Sequence, residues 1–186
     1  MKKKISILLL LLVCLSVQAQ KISVNKTDNF TKSQIVYTSY EKISSEPLIM
    51  GGQLGKNIWV CFGRENGLNM IMMKWLTVDN RYVRKDSNVI FLDEEDNTHT
   101  FTVSDYASGR GVGTVGALGM DLWGIQLLLL GDLSAFENHT MKSVRIYTVD
   151  GYFDFKIKNG ASKKLMKAYN PVSYTHLRAH ETCADL

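Results

Sequence analysis

Along most of the chain, apolar residues return at every second position, the period of a strand rather than a helix. "SQIVYTSYEKI" (33–43) mixes β-branched and aromatic residues in rough alternation and predicts a half-buried strand. "NIWVCF" (57–62) and "LNMIMMKWLTV" (68–78) are apolar on both faces, which predicts covered central strands joined by the Gly-bounded loop "GRENG" (63–67). "SNVIFLD" (87–93) and "THTFTVS" (98–104) flank the acidic turn "DEEDN", and "MDLWGIQLLLL" (120–130) predicts a further strand. In "KSVRIYTVDGYFDFKIK", Asp150-Gly151 between two alternating runs predicts a two-residue type I′ hairpin. That register pairs Val149 with Tyr152, Ile146 with Phe155 and Val144 with Ile157. It gathers Val144, Ile146, Phe153, Phe155 and Ile157 on one face.

Helical spacing occurs only twice. "GDLSAFEN" (131–138) offers Asp132 as N-cap, with Leu133 and Phe136 turned inward. "GASKKLMKAYN" (160–170) sets Ala161, Leu165, Ala168 and Tyr169 on one stripe and Lys163, Lys164 and Lys167 opposite. The expected fold class is α+β: a mainly antiparallel β sheet, open or closed in the manner of a sandwich or barrel. It carries a short helix near 132–138 and a C-terminal helix near 161–170.

The first residues break the pattern. Lys2, Lys3 and Lys4 precede an apolar run from Ile5 to Val17, and Val17-Gln18-Ala19 ends on the small residue that a signal peptidase requires. The run is short for a membrane span, so residues 1–19 read as a cleaved signal peptide, which implies a periplasmic or extracellular protein. The rival, a lipoprotein acylated at Cys14, meets bulky Val13 where a small residue is usual. The expected organisation is a signal peptide (1–19), a single β-rich domain (20–170) and a tail (171–186).

Charge and cysteine content then exclude several classes. Of the formal +4, three lysines leave with the leader; residues 20–171 carry 18 basic and 16 acidic side chains. No basic stripe suggests nucleic acid. Without Cys14 and Cys183 only Cys61 remains, so a disulfide scaffold is excluded and a buried thiol in "NIWVCFG" is expected.

No segment carries a recognisable catalytic, cofactor or metal motif. Gly111, Gly113 and Gly116 have G-x-G-x-x-G spacing, but the segment that follows reads as strand, so no helix N-terminus faces a phosphate. The Gly109–Gly119 segment is expected to be a loop between strands; whether it forms a binding site stays open. "DEEDN" (93–97) lacks the alternating oxygens of a calcium loop and reads as a solvated turn. His99 and His139 lie in separate segments without ligand spacing. Trp59, Trp75 and Trp123 sit within apolar strands and are expected in the core. The sequons at Asn25, Asn29 and Asn138 carry no weight behind a bacterial-type leader. No catalytic, cofactor-binding or metal residue is therefore assigned.

Two resemblances complete the reading. The Gly-rich segment, the strand containing "WGI", then "DLSAFEN" and "SVRIYTVDGYFDFKIKNGASKKLMKA" together resemble a family of small, exported, uncharacterised bacterial β-rich proteins over about residues 100–169. That resemblance implies a β-rich exported domain and brings no activity, cofactor or site residue. The end of the chain is different: "VSYTHLRAHET" (172–182) resembles, residue for residue, the in-frame translation of a transposase-type sequencing adapter. The resemblance implies a non-native tail (171–186) without regular structure. It also implies that the native sequence is truncated near Asn170, and that His176, His180 and Cys183 owe their spacing to a primer rather than to a metal.

The functional expectation is an exported, non-catalytic domain that binds a ligand or an envelope partner. The alternatives are a polymer-acting hydrolase using carboxylates that only the fold would pair, and a carrier of a small hydrophobic ligand.

Overall fold

In the computed structural model, residues 22–44, 57–115 and 119–181 are described. The leader with Cys14, residues 45–56 and 116–118, and Cys183 lie outside them. The described residues form thirteen strands and two helices. The strands are β1 (Ile22–Thr27), β2 (Gln34–Thr38), β3 (Glu41–Ser44), β4 (Asn57–Glu65), β5 (Leu68–Thr77), β6 (Tyr82–Val83) and β7 (Asn88–Asp93). They continue as β8 (Thr98–Val103), β9 (Ala107–Ser108), β10 (Arg110–Val115), β11 (Met120–Leu130), β12 (Met141–Thr148) and β13 (Gly151–Lys156). Helix α1 is Ala135–Asn138 and helix α2 is Asn159–Glu181.

Eleven strands join one antiparallel sheet in the order β1-β2-β4-β5-β11-β8-β7-β12-β13, with β3 beside β4 and β10 beside β11. β6 and β9 form a separate small ladder. β2 and β3 run along β4 as one bent strand, so the single strand expected over 33–43 is interrupted at Ser39–Tyr40. β4 and β5 are central strands, as their two-sided apolarity predicts, and their connection is tighter than "GRENG" suggests. Glu65 pairs with Leu68 across a two-residue Asn66-Gly67 turn whose φ angles are both positive, 52° and 77°.

The sheet curls without closing into a barrel, so the open α+β form is the one adopted. The curl is measured by Trp75 on β5, whose ring lies 5.5 Å from both Phe153 and Phe155 on β13, five strands further along the sheet order. One turn of helix closes the hollow. Phe136 of α1 is fully buried, with its ring 5.0 Å from Phe62, 5.2 Å from Phe91 and 5.7 Å from Phe101. Tyr169 of α2 packs edge-on against Phe62 at 5.4 Å. α2 presents the expected stripe: Leu165 and Tyr169 are buried, Ala161 and Ala168 half-buried, and Lys163, Lys164 and Lys167 exposed.

Three details differ from the sequence reading. The β12–β13 hairpin pairs Val144 with Phe155, Ile146 with Phe153 and Thr148 with Gly151, two residues from the expected register. The turn is Val149-Asp150, and only Gly151 takes a positive φ, 123°. A slip of two keeps every side chain on its face, so the hydrophobic pattern alone could not separate the two registers. Next, α1 is a single turn: Asp132 accepts a hydrogen bond from Ser134 N (2.9 Å), one residue before the helix begins. Last, the backbone of α2 stays helical through Glu181, reaching into residues for which no regular structure was expected, and Val172 is fully buried. Pro171 removes one helical hydrogen bond, but buried Tyr169 and Val172 on either side hold the chain against the sheet.

Candidate binding groove

β8 and β10 lie along the same side of β11, at opposite ends of it. Val103 pairs with Leu129 and Thr102 with Leu130, whereas Arg110 pairs with Gly124 and Gly111 with Trp123. Between them the chain leaves the sheet, because β9 pairs instead with β6, Ala107 against Val83 and Ser108 against Tyr82. Ser104 N still donates to Leu128 O at 2.9 Å. Alternation along β11 therefore turns the N–H and C=O of Gln126 into the space that β9 vacates. A groove of about 470 Å³ opens there, bordered by Lys74, Tyr106, Arg110, Val112 and Gln126, with Trp75 beneath. Gly124 keeps part of its floor low; a Cβ there would stand 3.0 Å from Val112 Cγ1.

The groove is cationic. Lys74 Nζ sits 3.9 Å from the Tyr40 ring centroid, and Arg110 is exposed. Among the described residues neither has a carboxylate partner; the ion pairs present engage Arg81, Lys142, Arg145 and the two histidines. Tyr106 stands at the rim, 55% exposed, stacked on Tyr82 with 6.3 Å between centroids. Trp75 is 2% exposed, and its indole N–H has no hydrogen-bond partner among the described residues. This combination of unpaired cations, an aromatic rim and open main-chain polar groups suits an anionic, hydroxyl-bearing ligand.

A second cluster forms where sequence spacing offered no link. Asp93, the first residue of the "DEEDN" turn, is fully buried, whereas Glu94, Glu95 and Asp96 are exposed as a solvated turn requires. Asp93 Oδ1 accepts from the N–H groups of Glu95 (2.9 Å) and Asn97 (2.8 Å). Its Oδ2 lies 3.2 Å from Asn97 Nδ2, 2.9 Å from His99 Nε2 and 3.4 Å from His139 Nδ1. Burial by itself would raise this carboxyl, but the bonds from His99, Asn97 and Glu95 outweigh it and hold it below the usual carboxylate range. Both oxygens are occupied in tying the β7–β8 turn to the segment after α1. The cluster is a structural knot, and among the described residues no group of His, Cys, Asp and Glu has the arrangement of a metal site.

The other sequence candidates separate in the same way. Cys61 is buried and its Sγ–H points at Thr38 O, 3.1 Å away. Burial pushes the thiol up, which leaves it in the unreactive form. Trp75 belongs to the core as expected. Trp59 is only half-buried because it alternates with buried Ile58 and Val60 and faces outward, and Trp123, although on the same face of β11 as buried Ile125 and Leu127, is half-buried as well. The Gly109–Gly119 segment is a strand, β10, rather than a loop; Gly113 takes φ 140° at a bulge in its ladder with β11, and residues 116–118 lie outside the described ones. The groove itself had one signal in the sequence, the polar break "SDYASG" (104–109) between two strand-like runs.

No protein-family model, curated protein or solved structure matches the chain.

Proposed function

We propose that the chain is an exported, non-catalytic binding domain whose ligand is a small molecule carrying a carboxylate or similar anion, held in the groove over Gly124. The observation that carries this reading is that Lys74 and Arg110 flank the groove with no carboxylate among the described residues to neutralise them. Two cations left open at one concave site attract an anion more strongly than either does on a convex surface.

The hydrolase alternative asks for two carboxylates in one cleft. Asp93 is the one buried carboxylate among the described residues, and both of its oxygens are already engaged by the turn it caps. The hydrophobic carrier asks for room inside the sheet, where Phe62, Phe91, Phe101, Phe136 and Tyr169 pack ring against ring. Export rests on Lys2–Lys4, the apolar run and Ala19. Among the described residues no helix is long and apolar enough to cross a membrane.

Amide chemical-shift mapping with citrate and galacturonate tests the reading. Shifts centred on Arg110, Gly124 and Gln126 that disappear in Arg110→Gln, with the far-ultraviolet circular dichroism unchanged, are expected. Shifts elsewhere, or shifts indifferent to Arg110→Gln, would refute it.

A further inference from the structure

The groove does not end at Lys74. On the outer face of the sheet, Lys42 of β3, Trp59 of β4, Lys74 of β5 and Gln126 of β11 are successive cross-strand partners. They form one row perpendicular to the strands. At the strand spacing of about 4.8 Å the row is roughly 14 Å long. Lys42 Nζ stands 5.4 Å from the Trp59 ring centroid, which fixes both side chains on the same face. Lys42 is exposed and Trp59 half-buried.

The neighbouring row on one side is Cys61, Met72 and Leu128; on the other it is Leu76, Gly124 and Arg110. None of these is acidic. Lys42, like Lys74 and Arg110, has no carboxylate partner among the described residues.

The geometry points to an acidic saccharide chain as the ligand, with one unit in the groove and the following units lying along Lys74, Trp59 and Lys42. This deepens the groove reading and rests on it. Each element of the row has a counterpart in that chemistry. An indole offers an apolar surface to the C–H face of a pyranose ring, and flanking ammonium groups meet carboxylates on alternate sides of it. The Gln126 amide and its open main-chain groups meet hydroxyls. The spacing of the row also matches a polymer, since strands repeat at a distance close to the length of one pyranose unit. An acidic peptide fits less well, because its main chain would pair along one strand, whereas this row runs across four strands.

The test is calorimetric titration with galacturonate, tetragalacturonate, neutral cellotetraose and a glutamate decapeptide, on the wild type, Lys42→Gln and Trp59→Leu. Tetragalacturonate is expected to bind about tenfold more tightly than the monosaccharide, the size of one stacking contact plus one exposed charge pair. Lys42→Gln, an exposed change that leaves folding intact, is expected to remove most of that gain while leaving galacturonate binding unaltered. Trp59→Leu is expected to do the same. Monosaccharide binding with no gain for the tetramer overturns this inference and leaves the groove in place. Equal binding of cellotetraose or of the glutamate peptide overturns it as well. If neither uronate binds, the inference falls, and citrate mapping then decides the groove separately.

Discussion

His99 and His139 meet over one carboxylate: their ring centroids are 5.5 Å apart, and Asp93 Oδ2 lies 2.9 Å from one and 3.4 Å from the other. The pair joins the β7–β8 turn to the strand that follows α1, and Glu94 N adds a bond to Thr140 O at 3.0 Å. Asp93→Ala strands two backbone N–H groups, the Asn97 amide and an imidazole at a buried position. The expected loss is about 3 kcal/mol in urea denaturation. His139→Gln, at the longer and more exposed contact, is expected to cost under about 1 kcal/mol. Comparable losses in the two variants would contradict the central role given to Asp93.

The same carboxylate sets a dependence on acid. A group that ionises at lower pH in the folded than in the unfolded chain stabilises the fold above its unfolded value and withdraws that stability as pH falls. The ordinary value is 3.8, and Asp93 is held below it. The thermal midpoint of the wild type should therefore fall more between pH of about 5 and about 2.5 than that of Asp93→Asn, which has no charge to lose. Parallel curves for the two proteins would count against the assignment.

The β12–β13 hairpin shows what could be read from sequence and what could not. Alternation placed Val144, Ile146, Phe153, Phe155 and Ile157 on the inner face, and there they are, in the core, with Phe153 and Phe155 against Trp75. The register escaped because the strand period is two, and an Asp-Gly pair is an equally good signal with Gly151 inside the turn or just after it. The existence of β4, β5, β7, β8 and β11 followed from local pattern in the same way, whereas β1, β6, β9 and β10 did not. The groove did not, because it arises where Ala107-Ser108 prefer a partner, β6, that local pattern does not reveal. Nor did the Asp93 knot, whose histidines approach only when β7, β8 and the α1 segment are assembled.

The observed turn can be checked against its rival. Gly151 alone takes a positive φ, so Gly151→Ala should cost about 1–2 kcal/mol. Asp150→Ala should cost no more than about 0.5 kcal/mol, since its contact with Arg81 at 3.4 Å is exposed. In a type I′ turn at Asp150-Gly151 both residues would need positive φ, and Asp150→Ala would then carry a clear cost as well, because Asp tolerates that region better than Ala. Denaturant midpoints of the two variants separate the registers.

Val172 is both the first residue of the adapter-like stretch and a member of the core. It is fully buried, one turn beyond Tyr169 and two beyond Leu165, in the cluster that includes Phe62 and Phe136. We propose that this segment was joined to the chain by a primer sequence, and that Val172 fills a site which the native sequence would also have filled with an apolar side chain. Two cuts divide these claims. Removing residues 173–186 should leave the thermal midpoint and the metal content unaltered; zinc held stoichiometrically by the full chain and lost on this deletion would show that His176, His180 and Cys183 do bind it. Val172→Ala in the full chain should instead cost about 2 kcal/mol, as the loss of two buried methyl groups does, and Val172→Ile should be tolerated or mildly costly. A recovered native gene with a charged residue at that position would show that the helix ends differently there, and that the burial of Val172 is a property of the joined sequence alone.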